Sequence, residues 1–304
     1  MPSALTRDNA VSHNKTMKVC FLAAIWLFAP LFPGTGQESA VLRFDTLFTV
    51  KGALKYNFMQ FDHAISPDTK ITSNRPLDLE IGFGYKDFSF GFSVNIPFLY
   101  DRNISKSISF DCGFHCFIKN FLFFEGLVKY YEGFHAENIT LNGAEYGEEV
   151  GLKIILSGIS GEYIFNKDHS IRGVYNLDRK QIISNGSFLA GGGAFYSALS
   201  LNDADKNSQH TVYFGPNAGY SYIWILENNF FINILCIVGV NGSVKNGEFY
   251  FGLSGQPKFA LGYHGKNWSF NAVLSNTVIL AMQKIAIDNI INSGTFGITF
   301  SKRF

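Results

Sequence analysis

The chain has 304 residues, of which 16% are aromatic and only 16% are charged. Soluble domains carry roughly 25% charged residues, so this chain has too few polar side chains for a typical soluble protein of its size. Its 47% hydrophobic content excludes a disordered chain. A formal net charge of +1, without a run of basic residues, gives no field that would attract nucleic acid. The composition therefore indicates that much of the surface faces something other than water.

The N-terminal region predicts export from the cell. Residues 17–36 place Lys18 before an apolar run of about 14 residues and end in small residues, which is the order of parts in a secretory signal peptide. The run contains Pro30 and is shorter than the roughly 20 residues that a membrane-spanning helix needs. A buried core helix is the alternative. Residues 1–16 are polar, and they are either a disordered leader or untranslated sequence before a start at Met17.

From residue 41 to residue 304, apolar residues recur at alternate positions, which predicts β-strands. The segments 88–96 and 108–118 place phenylalanines on one face and serines, glycines and ionised residues on the other. The segment 77–86 follows the same rule. Its apolar face would consist of Leu77, Leu79, Ile81, Phe83 and Tyr85.

A soluble β-sandwich would alternate in the same way, but three features favour a closed antiparallel transmembrane β-barrel. The apolar faces are large and aromatic, whereas the polar faces carry ionised groups, as a lipid-facing wall around a hydrated interior would. Very short links such as Lys86–Asp87 alternate with longer polar links, as expected for periplasmic turns and outer loops. The last strand ends in the aromatic Phe304, and such an ending resembles the signal that barrels present to their assembly machinery.

The strand number follows from parity, because it is even if both termini and all short turns lie on one side. Short turns predicted at 166–168 and 227–229 leave the segment 181–200 to satisfy this condition. If Gly191–Gly193 is a turn between two short strands, the barrel has about 14 strands. A single strand in this segment gives an odd total of 13, which breaks parity, although the glycines fit a strand that faces something bulky equally well. We therefore prefer 14 strands, with 12 as the main alternative.

Several segments, in order along most of the chain, resemble an uncharacterised family of outer-membrane β-barrels in Gram-negative bacteria, which is known as a domain of unknown function. The resemblance implies the fold and the location, and it implies no substrate. The segments that carry it are LEIGFGYKDFSFGFSV (79–94), VKYYEGFH (128–135), YIFNKDHSIRG (163–173), RKQIISNGSFLAG (179–191), GPNAGYSYIW (215–224), ALGYHGKNW (260–268) and the closing KRF.

Ionised residues on the polar faces are the candidate functional residues, because they would point into the barrel if the apolar faces point to lipid. They would line a water-filled channel in a wide barrel, or pair into a salt-bridged plug in a narrow one. Both signs are nearly balanced, so no preference for cations or anions follows. The predicted lumen-lining residues are Lys51, Lys55, Asp78, Glu80, Asp111, Lys119, Glu125, Lys129 and Lys153.

No catalytic, cofactor-binding or metal-binding residue is predicted. In a strand, Cys112 and Cys116 share one face about 13 Å apart, and His115 points to the other face. No G-x-S-x-G motif frames a nucleophile. We therefore expect a protein that is not an enzyme and carries no cofactor.

Taken together, the sequence predicts a porin-like channel for the passive passage of small solutes in the bacterial outer membrane. Its partners would be outer-membrane lipid and the barrel assembly machinery, with no nucleic acid. The alternative is a closed structural or surface-binding barrel that acts through its outer loops, chiefly 62–76, 135–148 and 241–257. A lipid-modifying barrel enzyme is a third hypothesis, and it would need a catalytic histidine at the rim.

Overall fold

A computed structural model describes residues 40–45, 48–62, 70–73, 77–96, 108–141, 144–201, 208–245, 247–283 and 286–304. The predicted leader (1–16) and signal peptide (17–36) lie outside the described residues. Among the described residues, no helix is long and apolar enough to span a bilayer.

Almost all of the described chain is β-strand. The strands are β1 (Val41–Arg43), β2 (Phe48–Asp62), β3 (Lys70–Ser73), β4 (Asp78–Tyr85), β5 (Phe88–Asn95), β6 (Ile108–Ile118), β7 (Leu122–Leu141), β8 (Ala144–Ile164), β9 (Arg179–Gln181), β10 (Asn185–Leu201), β11 (Gln209–Ile225), β12 (Phe230–Lys245), β13 (Glu248–His264), β14 (Trp268–Gln283) and β15 (Ala286–Arg303). Two short 3-10 helices cover Ile171–Gly173 and Glu227–Asn229.

The strands form a closed antiparallel barrel. Apart from the short strands β1, β3 and β9, consecutive strands pair as neighbours. The last strand, β15, pairs with the first wall strand, β2, from Arg303 opposite Thr49 to Ile290 opposite Asp62. This ladder leaves the wall without an edge. The prediction of a closed all-β barrel is therefore confirmed. We call the end that holds Phe48 and Arg303 the lower end, and the opposite end the upper end.

The wall has 12 strands, so the preferred count of 14 is wrong and the alternative of 12 is confirmed. Gly191–Gly193 are not a turn, because they lie in the middle of β10 and pair with β8 on one side and β11 on the other. The segment after Asn166 is not a strand either. Residues 165–184 form a long connection at the lower end instead of the short turn predicted at 166–168.

The predicted outer loops are partly strand as well. β7 and β8 continue through most of 135–148, and β12 and β13 form a long hairpin across 241–257. Wall strands therefore continue through most of both of these predicted loops. Most of segment 62–76 lies outside the described residues, apart from the short strand β3.

Side chains alternate between the two faces of the wall, as the sequence pattern predicts. On β2, Leu54 and Tyr56 are exposed, whereas Lys51, Ala53 and Asn57 are buried inside the barrel. The outer face of β4 and β5 is an exposed apolar band made of Leu79, Ile81, Phe83, Tyr85, Phe88, Phe90, Phe92 and Val94.

The set of strands that forms the wall changes near the upper end. β3 pairs with β2 on one side and with β7 on the other, so at that level it takes the place of β4, β5 and β6. On β7 the change of partner occurs at Gly133, where the ladder shifts register between Glu132 and Phe134. Gly133 has a φ of 80°, which glycine adopts without strain.

Two apolar layers cross the interior of the barrel. The upper layer joins inward side chains near the upper ends of the strands: Met59, Ile71, Tyr131, Phe134, Leu152, Ile154, Leu156, Leu199, Tyr213, Ile279 and Ile291. The lower layer joins wall residues to the connection 165–184: Phe117, Phe123, Ile164, Ile171, Val174, Leu177, Leu189, Ile223, Phe231, Leu235, Ile237 and Ala260.

We predict that Gly191→Ala destabilises the barrel by about 2 kcal/mol, because the added methyl group overpacks the wall and the backbone must shift to admit it. A Cβ atom at residue 191 would lie 1.9 Å from the carbonyl oxygen of Gly161 on β8. Guanidinium unfolding in detergent, followed by tryptophan fluorescence, measures the change. The control is Gly255→Ala, since a Cβ there meets nothing within 4 Å. Equal stability of the two variants would show that β8 and β10 do not approach this closely.

Candidate functional site in the barrel interior

The connection between β8 and β10 folds into the lower end of the barrel and forms a plug, which we define as residues 165–184. Asn166 starts it with an Asx turn, in which its Oδ1 accepts a hydrogen bond from the Asp168 amide at 3.0 Å. The 3-10 helix Ile171–Gly173 follows and is completely buried. β9 then pairs with β1 in a separate two-stranded sheet.

Arg172 attaches the plug to the lower turns of the wall. Its guanidinium is 1% exposed and forms ion pairs with Asp178 at 3.2 Å and with Asp87 in the β4–β5 turn. It also donates a hydrogen bond to the carbonyl oxygen of Lys119 in the β6–β7 turn. Because a buried cation is costly without partners, these contacts make Arg172 the polar anchor of the plug.

The tip of the plug reaches the wall through backbone carbonyls. Lys51 Nζ donates to the carbonyl oxygen of Tyr175 at 2.5 Å, and Asn271 Nδ2 donates to that of Val174 at 2.6 Å. The phenol oxygen of Tyr175 accepts a hydrogen bond from Lys258 Nζ at 3.2 Å. The ring of His115 lies 4.0 Å from the Tyr175 ring, between centroids. The plug is thus held by polar contacts to β2, β13 and β14.

A cavity of about 220 Å³, lined by charged, polar and apolar side chains, lies between the plug and the upper apolar layer. This volume would hold about seven water molecules at ~30 Å³ each. Two ion pairs stand in its wall, Lys55 with Glu80 and Lys258 with Glu125. The cavity is therefore lined by charges of both signs.

Seven of the predicted lumen-lining residues lie on the inward face, around or beside this cavity: Lys51, Lys55, Asp78, Glu80, Asp111, Glu125 and Lys129. Lys129 Nζ donates to Ser293 Oγ at 3.1 Å. Asp78 is 1% exposed and accepts a hydrogen bond from Asn57 Nδ2 at 2.5 Å.

Lys119 and Lys153 do not line the interior, and their prediction is corrected. Lys119 is exposed in the lower turn between β6 and β7, with a φ of 53° and its ammonium 5.8 Å from the Phe121 ring. Lys153 lies on the outer face of β8, between the buried Leu152 and Ile154, and pairs with Glu132 at 3.4 Å. Both side chains therefore contact groups outside the cavity.

Sequence reasoning missed Lys258, Tyr175 and Arg172. Lys258 could have been found from the alternation of β13. It lies on the same inward face as Ala260, and Phe259 between them faces outward. Tyr175 and Arg172 belong to the plug, which has neither helical nor strand periodicity, so no pattern marks them.

One serine and histidine pair exists at the lower end. His264 Nδ1 lies 3.0 Å from Ser269 Oγ, and both residues are buried. Phe231 stacks on the His264 ring, and Arg303 also donates to Ser269. The His264 ring packs against Phe44 and Phe231. Among the described residues no carboxylate forms an ion pair with it, as the acid of a catalytic triad would. Within the described ranges, no group of three or more His, Cys, Asp or Glu side chains is placed to hold a metal ion.

Residues 45–304 match a protein family that is described as a domain of unknown function, DUF4421. The chain belongs to this family. No curated protein matches the chain of this DUF4421 member.

Solved structures of several outer-membrane barrels are similar to the DUF4421 chain. The translocator domain of the autotransporter NalP from Neisseria meningitidis has 14% identity over 99% of this chain and 100% of that one, with a TM-score of 0.46. The β domain of the Bordetella autotransporter BrkA has 8% identity over 85% and 100%, with a TM-score of 0.48. An outer membrane channel from Pseudomonas putida F1 has 10% identity over 89% and 100%, with a TM-score of 0.37. Likenesses at this level say nothing about the activity of the DUF4421 chain.

We predict that acid loosens the plug of this DUF4421 barrel through His169. Its ring is fully buried, its Nδ1 lies 2.9 Å from Asn185 Oδ1, and its Nε2 has no hydrogen-bond partner among the described residues. Burial lowers the pKa of His169 to about 4. Because the folded pKa lies below the unfolded value, the stabilising effect is complete above about pH 6.5 and is lost as the pH falls towards 4.

Between pH 7.5 and pH 4.5 this group should remove about 2 to 3 kcal/mol of unfolding free energy. Guanidinium titrations at both pH values measure the loss, and His169→Gln should reduce it by that amount. The control is His210→Gln at an exposed position on β11, which removes a histidine and leaves the buried His169 and Asn185 pair intact. A His169→Gln variant with the same pH dependence as the natural protein would contradict the prediction.

Proposed function

We propose that this DUF4421 protein resides in the bacterial outer membrane, embedded in lipid, with its lower end towards the periplasm. Three observations support the proposal: a wall without an edge, an exposed apolar band, and an N-terminal sequence typical of a signal peptide. Phe304 follows β15 with an exposed ring, where the assembly machinery could bind the terminal strand.

We further propose that the protein is a gated channel for the passive passage of small polar solutes, and that the plug is its gate. The observation that carries this proposal is the position of the plug directly below a cavity lined by two ion pairs. A cavity lined by ion pairs is costly in a barrel that serves only as a scaffold. The plug is attached by side-chain contacts such as those of Arg172, which can open without breaking the wall.

The upper apolar layer favours a second candidate, a closed barrel that acts through its upper hairpins. Side chains such as Tyr131, Phe134 and Ile154 are at most 1% exposed and pack across the interior. Apolar constrictions also gate channels by excluding water, so this layer is compatible with a second gate in the first candidate. Conductance distinguishes the two candidates.

We also propose that the protein is not an enzyme. Its buried histidines make structural contacts: His169 is hydrogen-bonded to Asn185, and His264 is hydrogen-bonded to Ser269 and stacked on Phe231. His115 lies in the interior beside Glu125 and Tyr175. None of these three reaches the outer rim, where a lipid-modifying barrel would need its base.

We predict that Arg172→Gln opens the channel. The amide cannot pair with Asp87 and Asp178, so the plug is released more often and water reaches the cavity. Single-channel recording in planar bilayers should show few openings for the natural protein and at least tenfold more frequent openings for the variant.

The control for this variant is Arg43→Gln. Arg43 also pairs with Asp178, at 3.5 Å, but its side chain is 57% exposed, so its replacement should leave the conductance low. If Arg172→Gln folds into a barrel and remains as silent as the control, the gated-channel proposal fails and the closed barrel is favoured.

A further inference from the structure

The cavity between the plug and the upper apolar layer contains buried polar atoms without partners. Ser93 is 1% exposed, Asn176 is 1% exposed and Asn271 is 2% exposed, and all three line the cavity together with Asp111. Ser93 Oγ, Asp111 Oδ1, both side-chain atoms of Asn176 and Asn271 Oδ1 have no hydrogen-bond partner among the described residues. Native proteins leave few such groups, because each unsatisfied atom is costly. These atoms therefore need a partner from within the cavity.

The unpaired atoms include both donors and acceptors. Asn176 Nδ2 donates, Asn271 Oδ1 accepts, and Ser93 Oγ can do either. Lys51 Nζ donates to Ser89 Oγ and to the carbonyl oxygen of Tyr175, which leaves one of its three N–H groups. A hydroxyl group both donates and accepts, so a ligand with several hydroxyls satisfies all of these atoms with one chemical group.

The charges around the cavity disfavour an ionic ligand. Lys55 and Lys258 are each paired with a glutamate, which leaves them no strong preference for an added ion. An anion placed near Lys51 would share the cavity with the carboxylate of Asp111, whose Oδ2 accepts a hydrogen bond from the Tyr131 hydroxyl at 3.2 Å. A cation placed near Asp111 would share it with Lys51. Opposite charges at two positions of one small cavity therefore favour a neutral polar ligand.

The size and the apolar lining fit the same class of ligand. A volume of about 220 Å³ accommodates a single sugar ring rather than an oligosaccharide. Leu127, Leu235 and Val273 line the cavity and offer contacts to the C–H groups of such a ring. Sites for small ligands combine apolar walls with a few placed polar groups in this way.

We propose that the cavity is a binding site for a neutral polyhydroxylated solute of the size of a monosaccharide. Ser93, Asp111, Asn176 and Asn271 bind its hydroxyl groups, and the plug closes the site from below. The proposal rests on the gated-channel function, for which it names the class of solute. It differs from that function in predicting binding to the closed, natural protein.

Equilibrium dialysis of the full chain in detergent micelles against radiolabelled glucose tests the proposal, with dialysis continued until the bound fraction is constant. Glucose should bind saturably, and unlabelled glucose should displace it better than gluconate, which is anionic, or glucosamine, which is cationic. Preferential displacement by either charged analogue would overturn the neutral class, and the absence of saturable glucose binding would overturn the site.

Two variants locate the binding within the cavity. Ser93→Ala should weaken glucose binding about fivefold through the loss of one hydrogen bond. Its matched control is Ser197→Ala, because Ser197 is also a 1% exposed serine with an unpaired Oγ and does not line the cavity. Asn176→Gly removes two unpaired atoms and keeps the backbone φ of 55° that glycine accepts, so it should weaken binding at least tenfold. Equal effects of Ser93→Ala and Ser197→Ala would overturn the assignment.

The binding measurement and the conductance measurement test the two proposals independently. If Arg172→Gln conducts and the natural protein binds no sugar, the channel stands and the proposed solute class is wrong. If glucose binds with the predicted pattern and Arg172→Gln remains silent, the site stands and the gated channel is wrong.

Discussion

The ladder between β15 and β2 is the contact on which the rest of the structure depends. Backbone N–H and C=O groups that lack partners are not tolerated in hydrocarbon, so a sheet can stand in a membrane only when its first and last strands are joined. Once Arg303 lies opposite Thr49 and the ladder continues to Asp62, every wall strand has two neighbours. Closure also sorts the side chains, because each strand then has one face towards the outside and one towards an enclosed interior.

The enclosed interior creates the second constraint, which is packing. Twelve strands enclose a space that side chains alone fill poorly where the inward residues are small, as at Ser89, Gly91 and Ser93 on β5. The plug supplies the missing volume at the lower end. The carbonyl groups of its backbone accept hydrogen bonds from Lys51 and Asn271 in the wall. Its own Arg172 binds the lower turns of the wall. The mixture of apolar and charged residues in the interior follows from this requirement.

The sequence predicts the wall well because alternation is a local property. The structure places Phe83, Phe90 and Phe92 outside and Lys51, Glu80 and Asp111 inside, on the two faces that period two separates. Lys153 was misassigned because the run LKIIL has apolar residues on both faces, with Leu152, Ile154 and Leu156 in the upper layer and Ile155 outside. Alternation cannot decide the orientation of such a strand.

The strand count and the plug depend on contacts that are distant in sequence. The sequence predicts a turn at Gly191–Gly193. The structure shows that glycine is needed within the strand there, because β8 approaches β10 closely. The plug is irregular, and its anchor Arg172 contacts turns that lie 53 and 85 residues away in sequence. Single-sequence periodicity contains no information about such pairs.

The exchange of β4, β5 and β6 for β3 gives the interior the shape of a funnel. The diameter of a barrel grows with the number of its strands, so the wall is narrower where one strand replaces three. Side chains of ordinary length can therefore meet across the upper end, as Met59, Tyr131 and Ile279 do. The wider lower end requires a folded segment of backbone to fill it. The unequal widths thus explain why one end is closed by side chains fixed in the wall and the other by a folded connection between two strands.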